Sequence, residues 1–332
     1  MTKRLEKQNA LLTKAFGSFI PDEVLQSIVD APERINVGGG EKDLTVPSSD
    51  IRGFTEFIQS MTAKDAIDML NHYLEAMTGI ISRRGGIIME FVGDGILATF
   101  SAEKSGENHA DRAVFTAIDM QNNMEDINSW NAAHGYPVFE MGIGINTGSA
   151  FLGYIGSQAR IKYDAIGSTI NFGARVESYS TGGQIIISES TKAAVSVRLE
   201  ISDSYKVLPK GALSEVALYV LAGIGAPYNY RCLTSAESPV TLKDPVSASY
   251  KIIEDKHCSA EVFEGTVTAL GERSATFITA TPLKMFDNIR FVSPILLSGK
   301  VVSKSKNGYL LRFTSAPRFR EELNLLVKKE GD

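Results

Sequence analysis

The chain has 332 residues and a formal net charge of −5, with 43% hydrophobic and 22% charged residues. That composition excludes wholesale disorder, a collagen-like repeat and a coiled-coil rod, and the length favours two domains over one. No apolar run reaches the ~18 residues a membrane span requires, no signal-like apolar core follows the N-terminus, and the negative charge argues against nucleic acid or an anionic membrane as the main partner.

In chain order, residues 3–17 read as a short amphipathic helix. PDEVLQSIVD, opened by Pro21, reads as a second helix, so residues 1–33 form an expected helical, transducing segment. Gly38-Gly39-Gly40 is expected to break regular structure. A first strand ends at Asp50. A helix over about 63–83 is expected to bury Ile67, Leu70, Leu74, Met77 and Ile81 on one stripe. IIMEF, the turn Val92-Gly93-Asp94-Gly95 and ILATF predict a hairpin. A long helix covers about 108–133, and FEMGIGINTGSAFLGYIG reads as a second hairpin turning at Thr147-Gly148. Then follow strand KYDAI, helix TINFGARVESYS with Ser168 as its N-cap, strand QIIIS, a short helix from Glu189, and strand VALYVL. This predicts an α+β fold over residues 34–224, with helices on one face of a mainly antiparallel sheet. Residues 225–245 hold Pro227, Pro239 and Pro245 and read as a linker. From 246 to 332 short strands precede a terminal helix, PRFREELNLLVKK, which predicts a small β-barrel-like domain.

Two cysteines, Cys232 and Cys258, cannot form a disulfide framework and read as thiols in a reducing, cytoplasmic setting. Four histidines lie scattered without metal-ligand spacing, which argues against a zinc hydrolase. The carboxylates are more informative. Asp50 ends a strand and Asp94 lies in a hairpin turn, where side chains project from a rigid frame. Such a pair can hold hard divalent cations that keep phosphate as co-ligand; equally, Asp50 can cap the next turn and Asp94 can serve the hairpin. Asn171 and Arg175 are four apart and share a helix face, suited to developing negative charge on sugar and phosphate. Alone, that pair also reads as an ordinary polar helix face.

Taken together, Asp-Ile-Arg-Gly-Phe-Thr, Phe-Val-Gly-Asp-Gly-Ile and Tyr-Asp-Ala-Ile-Gly-Ser-Thr-Ile-Asn-Phe-Gly-Ala-Arg-Val-Glu-Ser occur in the order found in the class III nucleotidyl cyclases. The resemblance covers roughly residues 15–224. It implies a ferredoxin-like catalytic domain that works as a head-to-tail homodimer on ATP or GTP, with attack of the ribose 3′-hydroxyl on the α-phosphate and release of pyrophosphate. By the same resemblance Asp50 and Asp94, with the carbonyl of Ile51, hold two Mg²⁺ or Mn²⁺ ions. Asn171 orients the ribose and Arg175 stabilises the transferring phosphoryl group. In that family the metal pair and the Asn/Arg pair of one site come from different protomers. Lys210 matches a lysine for the terminal phosphates, and Arg160 and Lys162 are weaker phosphate candidates that read equally as a solvated basic turn.

Two positions match the family's purine readers, Glu90 and Asp164, and here they mix the adenylate and guanylate sets. Glu90 can accept from guanine N1–H and the N2 amino group. Ionised, Asp164 can accept from the adenine N6 amino group and would repel guanine O6; protonated, it could donate to O6, since like charges raise a carboxyl's pKa. The balance leans to GTP. Pro47 and the weakly burying Ser48-Ser49 in the first strand, with Gly173 in the catalytic helix, hint at weak activity, so a catalytically weak or inactive nucleotide sensor or scaffold is the alternative. The C-terminal region vaguely resembles a PilZ-type barrel but lacks that family's cyclic-dinucleotide motifs; the matching stretch reads ALGERSA. It is expected to contact a regulatory partner.

Overall fold

The computed structural model describes Leu25 and residues 38–102, 107–157, 160–209, 214–233, 239–254, 257–294, 296–305 and 308–314. The expected helices at 3–17 and from Pro21, the C-terminal helix, Lys210 and the middle of the 225–245 stretch lie outside those residues, apart from Leu25.

The first unit is a nine-stranded mixed sheet. Its main path runs β2 (Ile87–Val92), β3 (Gly95–Ser101), β1 (Gly38–Ile51), β4 (Met141–Ser157), β6 (Ile185–Ser188), β8 (Val216–Ile224) and β7 (Leu199–Val207). β5 (Arg160–Ile166) pairs with the far half of β4, and β9 (Tyr230–Arg231) with β8. Every pairing is antiparallel except β4 with β6. Among the described residues, five helices accompany the sheet: α1 (Phe54–Ile58), α2 (Ala63–Arg83), α3 (His109–Ala133), α4 (Ser168–Ser178) and α5 (Glu189–Ala194). α2 begins at an N-cap Thr62 that accepts from Asp65 N, and α3 at Asn108, which accepts from the amides of Ala110 and Asp111.

Strand alternation sends successive side chains to opposite faces. Ile143, Ile145, Ile185 and Ile187 meet α2 and α3 in the largest core. Ile186, Leu218 and Val220 face the other way, toward Val176 of α4. Helices therefore cover both faces, not the single face expected, because α4 packs opposite α2 and α3. The stripe of α2 that reaches the core is Met69, Tyr73, Met77, Ile80 and Ile81. Ile67, placed on that stripe from the sequence, is 57% exposed.

Three local readings are corrected. Gly38-Gly39-Gly40 opens β1 rather than breaking structure: a Cβ on Gly39 would lie 2.4 Å from the carbonyl oxygen of Leu152, so glycine lets β1 and β4 approach closely. Thr147-Gly148 is not a turn. β4 runs straight through it, paired with β1 from Gly38 to Ile51, with Thr45 opposite Thr147 and Leu44 opposite Gly148. Ser168 is the first residue of α4 and Gly167 is its N-cap, with no side-chain cap bond.

The second unit is a closed barrel of six antiparallel strands: β10 (Val240–Glu254), β12 (Phe263–Leu270), β13 (Ser274–Thr279), β16 (Gly308–Phe313), β15 (Leu297–Ser305) and β14 (Asn288–Ser293), which returns to β10. The short β11 (His257–Cys258) extends β10. Tyr250, Phe277, Phe291, Val301 and Leu311 fill its interior. Neither cysteine is in a disulfide. No helix among the described residues is long and apolar enough to cross a membrane.

Candidate active site

The end of β1 and the β2–β3 turn carry the two aspartates. Gly93 has φ +66°, the left-handed geometry a two-residue hairpin turn requires. That turn places Asp94 against the end of β1, where its Oδ2 accepts the backbone N–H of Ile51 at 3.0 Å. A Cβ on Gly95 would lie 2.9 Å from the Ser49 carbonyl oxygen and 3.5 Å from Asp50 Oδ1, so the hairpin sits tight on Asp50. Burial, then the negative charge of Asp50, push the Asp94 carboxyl up to about 7. Two half-buried carboxylates held together without a cation are costly, and a divalent cation between them would relieve that cost.

Asn171 and Arg175 lie exposed on the outer face of α4, while Ile170, Gly173, Val176 and Glu177 face inward. α4 lies close on the sheet because its neighbours are small. A Cβ on Gly144 would stand 2.0 Å from Glu177 N, and one on Gly173 would stand 3.2 Å from the Val46 carbonyl oxygen. Gly173 is thus a packing device, offsetting its ~1 kcal/mol helix cost. Pro47 fits as well: the β1–β3 ladder lapses at Val46 and Pro47 and resumes in the same register at Ser48 opposite Leu97. Its missing N–H falls in that lapse.

Between the aspartates and α4 lies a network the sequence reading missed. The Arg52 guanidinium reaches Asp50 Oδ2 at 3.5 Å, pairs with the Glu177 carboxylate, and donates to Ser180 Oγ at 2.6 Å. Space for it comes from Gly142, where a Cβ would meet Arg52 Nη2 at 1.9 Å. Burial raises the Glu177 carboxyl, opposed by Arg52. Glycine at every second position of Met141-Gly-Ile-Gly-Ile-Asn was the available signal, since period-2 alternation puts both glycines on the α4 face. Beyond Glu177, Lys300 of the barrel donates from Nζ to the carbonyls of Ser178 at 2.6 Å and Ser180 at 2.8 Å. Burial, then the positive charge of Arg52, push its ammonium down to about 7. Nothing in the sequence around Lys300 pointed to this contact.

Glu90 on β2 and Asp164 on β5 come together through Lys162. Its Nζ is 3.0 Å from Asp164 Oδ2 and 3.7 Å from Glu90 Oε1. The sequence left Lys162 open between a phosphate contact and a solvated basic turn; in the structure its ion-pair partners are Glu90 and Asp164. Arg160 begins β5, and its side chain lies outside the described residues.

The sequence and the fold match a known family. A model of the adenylate and guanylate cyclase catalytic domain matches residues 40–223. The chain belongs to that family. Among curated relatives, the adenylate cyclase of Anabaena cylindrica is 31% identical over 219 residues, covering 62% of this chain and 42% of the relative. Adenylate cyclase 1 of Rhizobium meliloti is 24% identical over 211 residues, covering 63% of this chain and 32% of the relative. The chain thus spans less than half the length of these relatives. Among solved structures, the guanylyl cyclase Cya2 aligns with TM-score 0.57 and 40% identity over 59% of this chain and 100% of that one. The adenylyl cyclase CyaB from P. aeruginosa aligns with TM-score 0.52 and 33% identity, over 56% of this chain and 96% of that one. The α+β cyclase fold read from the sequence is therefore the fold observed.

Proposed function

We propose that the chain is a homodimeric cyclase that converts a purine nucleoside triphosphate to a 3′,5′-cyclic nucleotide and pyrophosphate, with GTP favoured over ATP. The observation that carries the reading is the juxtaposition of Asp50 and Asp94, locked by the Ile51 N–H bond to Asp94. Among the described residues no three His, Cys, Asp or Glu side chains gather as a metal site. A two-carboxylate site leaves coordination positions for water and phosphate oxygens, which suits Mg²⁺ or Mn²⁺. Asp50, Asp94 and the Ile51 carbonyl would hold the metal pair, which when bound acidifies the 3′-hydroxyl and neutralises triphosphate charge.

The remaining roles belong to the chain's own groups. Asp94 must shed the proton that burial and Asp50 encourage it to keep. Arg175 presents its guanidinium to the phosphoryl oxygens as the O3′–P bond forms and the bond to the pyrophosphate oxygen breaks. Asn171 positions the ribose. Both project from α4 away from their own sheet, so a second copy of the chain is the partner they fit. The exposed apolar residues Phe91, Val92, Phe151 and Ile166 offer that copy a surface. Lys210 and Arg160 remain proposed contacts to the triphosphate.

For the base, Glu90 accepts from guanine N1–H and the N2 amino group. The ammonium of Lys162 beside it donates to O6. This removes the need for a protonated Asp164. The guanylyl cyclase structure at 40% identity supports the same lean. Packing accounts for Pro47 and Gly173, two of the residues that motivated the weak-enzyme alternative. The test is purified protein offered GTP and ATP separately with Mg²⁺ or Mn²⁺. Cyclic GMP in excess is expected. Equal, trace turnover by wild type and Asp50→Ala would overturn the reading.

A further inference from the structure

Among the described residues, the second unit of the chain meets the first through several side chains. Ser298 Oγ donates to Glu56 Oε1 of α1 at 2.9 Å, and Arg290 Nη1 lies 3.5 Å from the same carboxylate. Arg273 pairs with Glu140 at 2.8 Å. Phe286 meets Tyr179 and Tyr205 edge to face, with ring centres 5.1 and 5.2 Å away. The centre of this junction is Lys300, only 3% exposed. The last carbonyls of a helix lack partners within it and favour a cation. Lys300 supplies both a donor and a charge to the end of α4, through the carbonyls of Ser178 and Ser180.

That end of α4 is also where the Asp50–Arg52–Glu177 network terminates. Arg52 donates to Ser180 Oγ, and Ser180 Oγ donates to the Glu177 carbonyl at 2.8 Å. The same helix carries Asn171 and Arg175 less than three turns upstream of Ser180. A lysine is costly to bury unless its donors are used, and here two bonds go to one helix terminus.

We propose that Lys300 is a positioning residue for the cyclase site: by capping α4 from the barrel it sets the pose of Asn171 and Arg175, so the barrel is a structural part of the catalytic unit. This rests on the functional reading of Asn171 and Arg175. Misplacement of such groups by small distances lowers the chemical step more than substrate binding.

The test uses the full chain and the variants Lys300→Met, which keeps the volume and removes the donor, Lys300→Arg, which keeps donors and charge, and Ser298→Ala, which removes a neighbouring barrel contact. Lys300→Met is expected to lower kcat about tenfold or more with KM changed less than about threefold. Lys300→Arg should recover much of that loss, and Ser298→Ala should match wild type. Amide hydrogen exchange over residues 171–181 should quicken in Lys300→Met without a change in α2 or α3. A Lys300→Met kcat within about twofold of wild type would overturn the proposal, as would equal loss in the Met and Arg variants. Should Lys300→Met fail to fold, Lys300→Arg decides: kcat within about threefold of wild type and unchanged exchange support the proposal, and a tenfold loss overturns it. If the wild type forms no cyclic nucleotide, it is the functional reading that has failed; the exchange measurement then judges Lys300, with unchanged exchange overturning the cap.

Discussion

The backbone N–H of Ile51 donates to the Asp94 carboxylate at 3.0 Å, joining the end of β1 to the β2–β3 turn. Two motifs 43 residues apart in sequence thus share one bond, and that bond fixes where two carboxylates converge. Its consequences can be measured.

Asp94 is the pH-sensitive member. Its carboxyl is pushed up to about 7 from an ordinary 3.8 by burial and by Asp50. In metal-free protein the folded state keeps this proton from about pH 4 to 7 while the unfolded chain has lost it. The contribution to stability is therefore greatest below about pH 4, falls as pH rises, and is gone above 7. Melting curves with EDTA should show this component, and Asp94→Asn should remove it. Because cation and proton compete for Asp94, Mg²⁺ or Mn²⁺ affinity should rise by up to ~tenfold per pH unit below 7. A flat affinity between pH 5 and 7 would contradict the assignment.

Gly144→Ala adds one methyl where Glu177 N lies 2.0 Å away. The helix must lift or the strand must bend, at a cost of about 1–3 kcal/mol. A lower Tm, with a lower kcat from displaced Asn171 and Arg175, is the expected result. By contrast, Gly93→Asn keeps a residue tolerant of positive φ at an open turn, and should cost far less.

Glu90→Lys replaces two acceptors for guanine with a donor beside Lys162. Each mismatched buried polar group costs ~1–3 kcal/mol, so GTP kcat/KM should fall tenfold or more while ATP is retained or improved. Steady-state rates on both nucleotides check this. Unchanged selectivity would remove Glu90 from base recognition.

Much of this was visible in the sequence, and the remainder was hidden for physical reasons. The helix over 63–83 and the Val92–Gly95 turn have strong local signals, an apolar stripe and a Gly-Asp-Gly turn. Asp50, Asp94, Asn171 and Arg175 stood out because ordered motifs coincide. The straight run of β4 through Thr147-Gly148 was missed because turn chemistry is local, whereas its pairing with β1 is not. Arg52, Glu177 and Lys300 were missed because buried pairing between residues more than a hundred positions apart leaves no periodic trace. Lys162 stayed open between phosphate and a solvated turn because a basic residue near a turn does not reveal which strand it faces.

The central claim is that one active site takes its aspartates from one protomer and Asn171 and Arg175 from another. Mixing Asp50→Ala with Arg175→Ala protein tests it most directly, because each heterodimer would carry one intact site. Each variant alone should be almost inactive. The mixture should recover up to about a quarter of wild-type turnover, since about half the dimers are mixed and each has one working site. A mixture no more active than its components, with heterodimers shown to form, would contradict the shared site.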